Sequence, residues 1–305
     1  MHHQLANFTL NSLLSIYIYT KIGNNIHHHR LTITKKEKDM EAAKQQTQSH
    51  FILVHGACHG AWCWYKLKPL LESHGHKVTV LDLAASGINM KKIEEVPTLD
   101  DYTVPLTKLM ESLPLGEKVI LVGHSLGGMN LALVMDKFPE KISVAVFVTA
   151  FMPDTVHKPS FVIDQCLEGK TPESLLDTKF ESCGTSEVPL ASVFFGPKFM
   201  ATKLYQLCPI EDLTLATMLV RPGSFFLEDL TQANNFSHEG YGSVTRVFIV
   251  CNEDYTITEE YQRWMIENIG GVKEVMEIKG ADHMPMFSKP QELCSCLLEI
   301  ANKHT

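Results

Sequence analysis

The stretch Val119-Ile-Leu-Val-Gly-His-Ser-Leu-Gly-Gly128 leaves this chain few ways to fold. An apolar run of strand type, residues 119–122, enters Gly123-His124-Ser125-Leu126-Gly127, and an apolar run of helix type, residues 129–138, leaves it and stops at Pro139. A serine at the apex of so sharp a strand-to-helix turn tolerates no bulky side chain two residues before or after it, and both positions are glycine. Such a turn lifts the Ser125 hydroxyl clear of the sheet edge. It also points the free N–H groups and positive dipole end of the following helix at any charge that develops there. G-x-S-x-G alone arises by accident in about one chain in ten of this length, so its position between a buried strand and a helix carries the weight.

Around this junction the pattern alternates. Strand-type runs at residues 50–54, 78–83, 119–122 and 143–150 are separated by helix-type spacing at residues 62–73, 99–113 and 129–138. After an irregular stretch, a strand at residues 246–251, a helix at 259–269, a strand at 274–279 and a closing helix at 290–303 follow. Repeated strand-helix-strand units predict a mostly parallel central sheet with helices on both faces, the α/β class, with ligands at the carboxyl ends of the strands. Residues 152–226 break the alternation, carry six prolines from Pro159 to Pro222 and scatter their aromatics. An insertion of this length after a strand end predicts a cap over the active-site edge of the sheet.

Two classes of partner are disfavoured by charge. The 305 residues carry 27 basic and 35 acidic side chains, a net charge of -8, which argues against nucleic acid or an anionic membrane and fits a small neutral or aromatic ligand. The eight cysteines show no zinc spacing and several sit in apolar runs, so a reduced compartment, the cytoplasm, is expected. Residues 1–39 stand apart: five basic against two acidic residues leave them at +3 and the remainder at -11. Their mildly apolar part lacks the features of a secretory signal and is too short and polar to span a bilayer. They are read as a disordered extension or an over-long start before Met40, with an organellar targeting peptide as the open alternative, and residues 40–305 as one domain. The run His27-His28-His29 is read as a polar tail rather than a metal site.

A serine hydroxyl needs a base, and the base needs an acid to hold its tautomer. On this architecture the chain order is serine, acid, histidine. Glu253 and Asp254 end the strand after the cap, and His283 follows the last strand in Gly280-Ala-Asp-His283, which selects Asp254 and His283. Asp282 adjoins the base, points elsewhere and is expected to cap its loop. An oxyanion hole requires two N–H donors. One is assigned to Leu126, directly after the serine, and the other to Ala57, in the Gly-containing loop after the first strand.

Phe51-Ile-Leu-Val-His-Gly-Ala-Cys-His-Gly-Ala-Trp62, Leu81-Asp-Leu-Ala-Ala-Ser-Gly87, Gly123-His-Ser-Leu-Gly-Gly128 and Gly280-Ala-Asp-His-Met284 resemble the signatures of the plant methylesterases of the α/β-hydrolase fold. That group includes salicylic-acid-binding methylesterases, alkaloid esterases and S-type hydroxynitrile lyases. The resemblance runs from about His50 to the end and leaves residues 1–39 uncovered. It implies a triad of Ser125, Asp254 and His283, oxyanion donors Ala57 and Leu126, a mainly helical cap, and no cofactor or metal. It further implies a substrate pocket of Ala57, His124, Ser125, Leu175, Val193, Phe225, His283 and Met284, with some relatives carrying tryptophan at the position of Leu175.

The resemblance covers more than one chemistry. Its lyases, as the resemblance implies, set a lysine after the catalytic histidine to hold departing cyanide and a threonine or asparagine in the first loop. Met284 and Gly56 stand at those positions here, so hydrolysis is expected. The expected substrate is a small-molecule methyl ester of plant-hormone type, such as methyl salicylate, methyl jasmonate or methyl indole-3-acetate, released as its free acid. An alkaloid ester, a lyase activity and a non-catalytic hormone receptor are the alternatives. Neither nucleic acid nor membrane is expected as a partner, and a homodimer is an open assembly state.

Overall fold

His50–Val54 forms the first strand, β1, with every residue buried, as an apolar run covered on both faces must be. The computed structural model describes residues 48–184 and 189–304, and the extension expected at residues 1–39 lies outside the described residues. In chain order the strands are β1, β2 (Lys77–Val80), β3 (Val119–His124), β4 (Ile142–Val148), β5 (Lys179–Ser182), β6 (Ala191–Phe194), β7 (Gly223–Ser224), β8 (Arg246–Cys251) and β9 (Val272–Ile278). The helices that matter below are α1 (Leu67–Ser73), α2 (Leu99–Ser112), α3 (Gly127–Lys137), α4 (Phe161–Leu167), α5 (Ile210–Leu219), α6 (Leu227–Gln232), α7 (Glu259–Ile269) and α8 (Pro290–His304).

Six strands pair in the order β2-β1-β3-β4-β8-β9, all parallel. The interior strands β1, β3 and β8 are buried at every position, whereas β9, at the edge, alternates and turns Lys273, Val275 and Glu277 to solvent. Register sets the site. Val54 pairs with Gly123, so the loop after β1 emerges beside Ser125. His124 pairs with Val148 and Val148 with Ile249, which aligns the carboxyl ends of β3, β4 and β8 along one edge.

Three expectations needed correction. The helix expected at residues 62–73 is two pieces, a short turn at Ala61–Trp64 and then α1. Pro69 has no N–H to continue the ladder and its ring excludes the carbonyl four residues back, so a helix restarts around it instead of running through. The strand expected at residues 78–83 ends at Val80. Beyond it Asp82 accepts from the N–H groups of Ala61 at 2.7 Å and Ile88 at 3.2 Å, and Leu83 N–H donates to His55, so this segment leaves the sheet to build the loop edge. Finally, the cap carries α4 and α5 but also an antiparallel sheet, β5-β6-β7, where no sheet was expected. Those strands have two to four residues and β5 is exposed throughout, so no periodic apolar signal marks them.

Candidate active site

Ser125 sits at the apex between β3 and α3 with φ +55, a left-handed conformation disfavoured for any side chain other than glycine. The flanking glycines are required by contact. A β-carbon on Gly123 would stand 2.9 Å from the carbonyl oxygen of Gly127, and one on Gly127 would stand 2.7 Å from that of Val54. Close approach between α3 and the ends of β1 and β3 therefore holds the turn.

The loop after β1 packs directly on this serine. A β-carbon on Gly56 would lie 2.8 Å from Ser125 Cβ. The N–H groups of Ala57 and Leu126, both buried, give no hydrogen bond to another backbone group among the described residues. Buried N–H groups rarely go without an acceptor, so two beside one hydroxyl are suited to an oxygen that gains charge during reaction. The peptide that carries the Ala57 N–H is itself held from behind. Leu83 N–H donates to His55 Nε2 at 3.1 Å, which leaves the hydrogen on Nδ1, and Nδ1 donates to the Gly56 carbonyl at 2.8 Å. A hydrogen bond to that carbonyl polarises the same amide toward donation. Read in sequence, His55 was only part of a turn, and nothing there signals this role.

His283 Nδ1 donates to Asp254 Oδ2 at 2.6 Å, and both side chains are almost fully buried. A carboxylate only accepts, so Nε2 is left unprotonated in the neutral ring and free to take a proton. Ser125 and His283 line the same cavity. Asp254 Oδ1 accepts from the N–H groups of Thr256 at 2.7 Å and Ile257 at 2.9 Å, and Oδ2 also accepts from Thr149 Oγ1 at 2.5 Å. Thr149 was not singled out from the sequence, where it is one hydroxyl at the end of an apolar run. Asp282 caps its own loop as expected: it accepts from Met284 N–H, Ser288 Oγ and the cap residue Leu207 N–H. Glu253 contributes backbone contacts, its N–H donating to Ala281 and its carbonyl accepting from Gln206.

The cavity beside Ser125 has a volume of about 40 Å³ and an apolar lining that includes Phe151, Ile163, Leu175, Phe195, Phe199 and Phe225. Leu175 and Phe225, two of the residues the resemblance implies, are in this lining. His124, Val193 and Met284 lie behind the lining. His124 Nε2 donates to the His283 carbonyl at 2.7 Å, and burial, aided by His283, holds its imidazole well below the ordinary range and so neutral. Val193 is buried in β6, its carbonyl accepting from Cys58 Sγ at 3.3 Å, and the fully buried Met284 has its N–H on Asp282. The aromatic and aliphatic members from the cap, Ile163, Phe195 and Phe199, were not singled out because no spacing in residues 152–226 marks the inward face.

Among the described residues no group of acidic, histidine and cysteine side chains is arranged to hold a metal ion, and no helix is long and apolar enough to cross a membrane. All eight cysteines are free.

A serine on a strand-to-helix apex, a carboxylate-held histidine and a pair of free amides thus meet at one edge of a parallel sheet, and fold and relatives together define a hydrolase of α/β architecture. A family model described as the alpha/beta hydrolase family matches residues 51–295. Salicylic acid-binding protein 2 of Nicotiana tabacum is 65% identical over 255 residues, covering 84% of this chain and 98% of that protein. Methylesterase 1 of Arabidopsis thaliana is 59% identical over 262 residues, 86% of this chain and 99% of that protein. The crystal structure of polyneuridine aldehyde esterase aligns with a TM-score of 0.81 at 52% identity, over 84% of this chain and all of that one. The chain belongs to the alpha/beta hydrolase family and, within it, to the plant methylesterase group; it is a carboxylic ester hydrolase.

Proposed function

We propose that the enzyme hydrolyses methyl esters of small, ring-bearing acids of plant-hormone type, with methyl salicylate ahead of methyl jasmonate and methyl indole-3-acetate. The observation that carries this reading is the cavity at Ser125, whose lining is mainly apolar and aromatic and suits a planar or compact ring, while Lys170, also in the lining, gives its Nζ to the Thr256 carbonyl. Likeness to a protein named for binding salicylic acid supports the order of preference. At about 40 Å³ the cavity has room for a few waters. A ring-bearing ester therefore enters as the cap side chains Leu175, Phe195 and Phe199 give way.

In the proposed mechanism Ser125 Oγ attacks the ester carbonyl carbon while His283 Nε2 takes its proton, and Asp254 stabilises the imidazolium. The carbonyl oxygen becomes an oxyanion within reach of the Ala57 and Leu126 N–H groups. Collapse breaks the bond to the methoxy oxygen, which leaves as methanol with the proton from His283. Water, deprotonated by His283, then attacks the acyl-serine, releases the free acid and restores the serine. The chain's own groups supply every step. Eight free thiols support action in a reducing compartment, the cytoplasm.

Measuring kcat/KM of the purified enzyme on methyl salicylate, methyl jasmonate, methyl indole-3-acetate and mandelonitrile tests the reading. Apolar contacts discriminate near-isosteres by only about 10 to 200-fold, so overlapping activity on several methyl esters is expected. Cyanide release from mandelonitrile with no methyl ester cleaved overturns it in favour of a lyase. Activity on none of the four favours a binding protein.

A further inference from the structure

Thr149 is fully buried one residue beyond β4, between the strand that presents Ser125 and the strand that leads to Asp254. Its backbone has φ +36, a conformation that a β-branched residue adopts only under constraint. The constraint is visible on every side. Thr149 N–H donates to the Ile249 carbonyl at 3.0 Å, and two residues further on Phe151 N–H donates to the Ser125 carbonyl at 3.1 Å. Bent in this way, the chain aims the threonine hydroxyl at Asp254 Oδ2, the oxygen that also receives the His283 Nδ1 hydrogen. Thr149 does not line the cavity.

We propose that Thr149 is a positioning residue that tunes the base: its hydroxyl shares Asp254 Oδ2 with His283, fixes the carboxylate's rotation and draws off part of the negative charge that the imidazolium faces. This rests on the triad reading given above. A donor on the shared oxygen weakens the attraction between carboxylate and imidazolium, so it eases return of the proton to the leaving methoxy oxygen and keeps His283 unprotonated to lower pH. Loss of the hydroxyl has the opposite sign: the carboxylate holds the imidazolium more tightly, and the acid limb of the pH-rate profile moves to higher pH.

Other titratable groups around the pair leave that limb readable. His124, from the end of β3, is kept neutral by burial, and His59, from the loop after β1, is pushed down to about 3 by the same cause. His55, behind that loop, is lowered by burial as well. Burial raises the thiols of Cys166 on α4 and Cys251 on β8, with Asp254 adding to both. Further ionisable neighbours include Glu253, Asp282 beside His283 with Cys208 Sγ on its Oδ2 at 3.2 Å, and Lys170, whose Nζ donates to the Thr256 carbonyl at 2.9 Å.

The test compares pH profiles of kcat/KM on methyl salicylate, or on p-nitrophenyl acetate as a generic ester, for the wild type and the Thr149→Val, Thr149→Ala, Thr149→Ser and Ser125→Ala variants. Thr149→Val removes the hydroxyl and keeps the shape. Thr149→Ala carries no β-branch and reads the same loss should the valine variant not fold. Expected are an acid limb raised by about half a unit to one unit, a kcat lowered several-fold with KM unchanged, and restoration of the wild-type limb by Thr149→Ser. Profiles that superimpose on the wild type, or a serine variant displaced as far as the valine variant, overturn the proposal. If that happens while Ser125→Ala is inactive, the triad reading survives. Wild-type turnover by Ser125→Ala overturns both.

Discussion

Gly56 lies so close to Ser125 that a β-carbon on it would stand 2.8 Å from the serine's own, with His124 Nδ1 and the His124 carbonyl each 3.2 Å away. None of these neighbours is the free end of a flexible chain, so the loop after β1 must retreat to admit a methyl group, and the Ala57 N–H retreats with it. Gly56→Ala is expected to lower kcat by about 10²-fold, the scale of losing one oxyanion donor. Overpacking should also cost about 1 to 3 kcal/mol of stability. A folded Gly56→Ala enzyme with wild-type kcat would show that this loop does not supply the donor.

The strained serine offers a separate test. Glycine adopts φ +55 freely, whereas alanine meets the same steric penalty as serine. Ser125→Gly and Ser125→Ala should both lose hydrolysis by about 10³-fold or more. In urea, however, the glycine variant should unfold about 1 kcal/mol harder than the alanine variant. Equal midpoints at equal slopes would mean the elbow stores no strain in solution.

How far the sequence carried this picture depends on the kind of signal each part leaves. Buried parallel strands read as apolar runs, so β3 and β8 were legible almost to the residue, as were α7 and α8 from their spacing. That Ser125, Asp254 and His283 would meet at one sheet edge was legible because chain order and strand ends leave few positions for such a trio. The cap's small sheet was not, because backbone pairing of two to four exposed residues has no side-chain period. Thr149 and His55 were invisible for a related reason: Thr149 Oγ1 reaches Asp254, and His55 Nε2 reaches Leu83 N–H, only once the fold brings distant segments together.

Leu175 lies in a short turn, Pro172–Leu175, that contributes to the cavity lining, at a position where the resemblance implies tryptophan in some relatives. An indole there fills space next to Ser125 that is already scarce. Leu175→Trp should therefore lower kcat/KM for the bulkier methyl jasmonate relative to flat methyl salicylate, by about 10-fold through KM. An unchanged ratio would remove Leu175 from the set of residues that shape the acyl pocket.

Buried histidines, His50, His55, His59, His76 and His124, make the fold sensitive to acid before its carboxylates do. His55, His59 and His124 are all lowered by burial, His59 to about 3, against about 6.5 for an unfolded chain. Below pH 6.5 the unfolded chain binds protons that the folded chain refuses, so the stability these groups allow is complete above that pH and is lost as pH falls through each folded value, which for His59 is about 3. Each such group tilts the unfolding free energy by about 1.4 kcal/mol per pH unit within the window. His59 can be isolated because its ring has simple partners: it donates from Nδ1 to the Ala57 carbonyl at 2.8 Å and accepts at Nε2 from the Tyr205 hydroxyl at 2.7 Å. Glutamine offers the same donor and acceptor without a proton to gain. Urea unfolding of wild type and His59→Gln at pH 7, 6 and 5 should give a shallower pH dependence for the variant, by about one group's slope, even if its stability at pH 7 is lower. Parallel lines would mean that His59 takes up its proton alike in the folded and the unfolded chain.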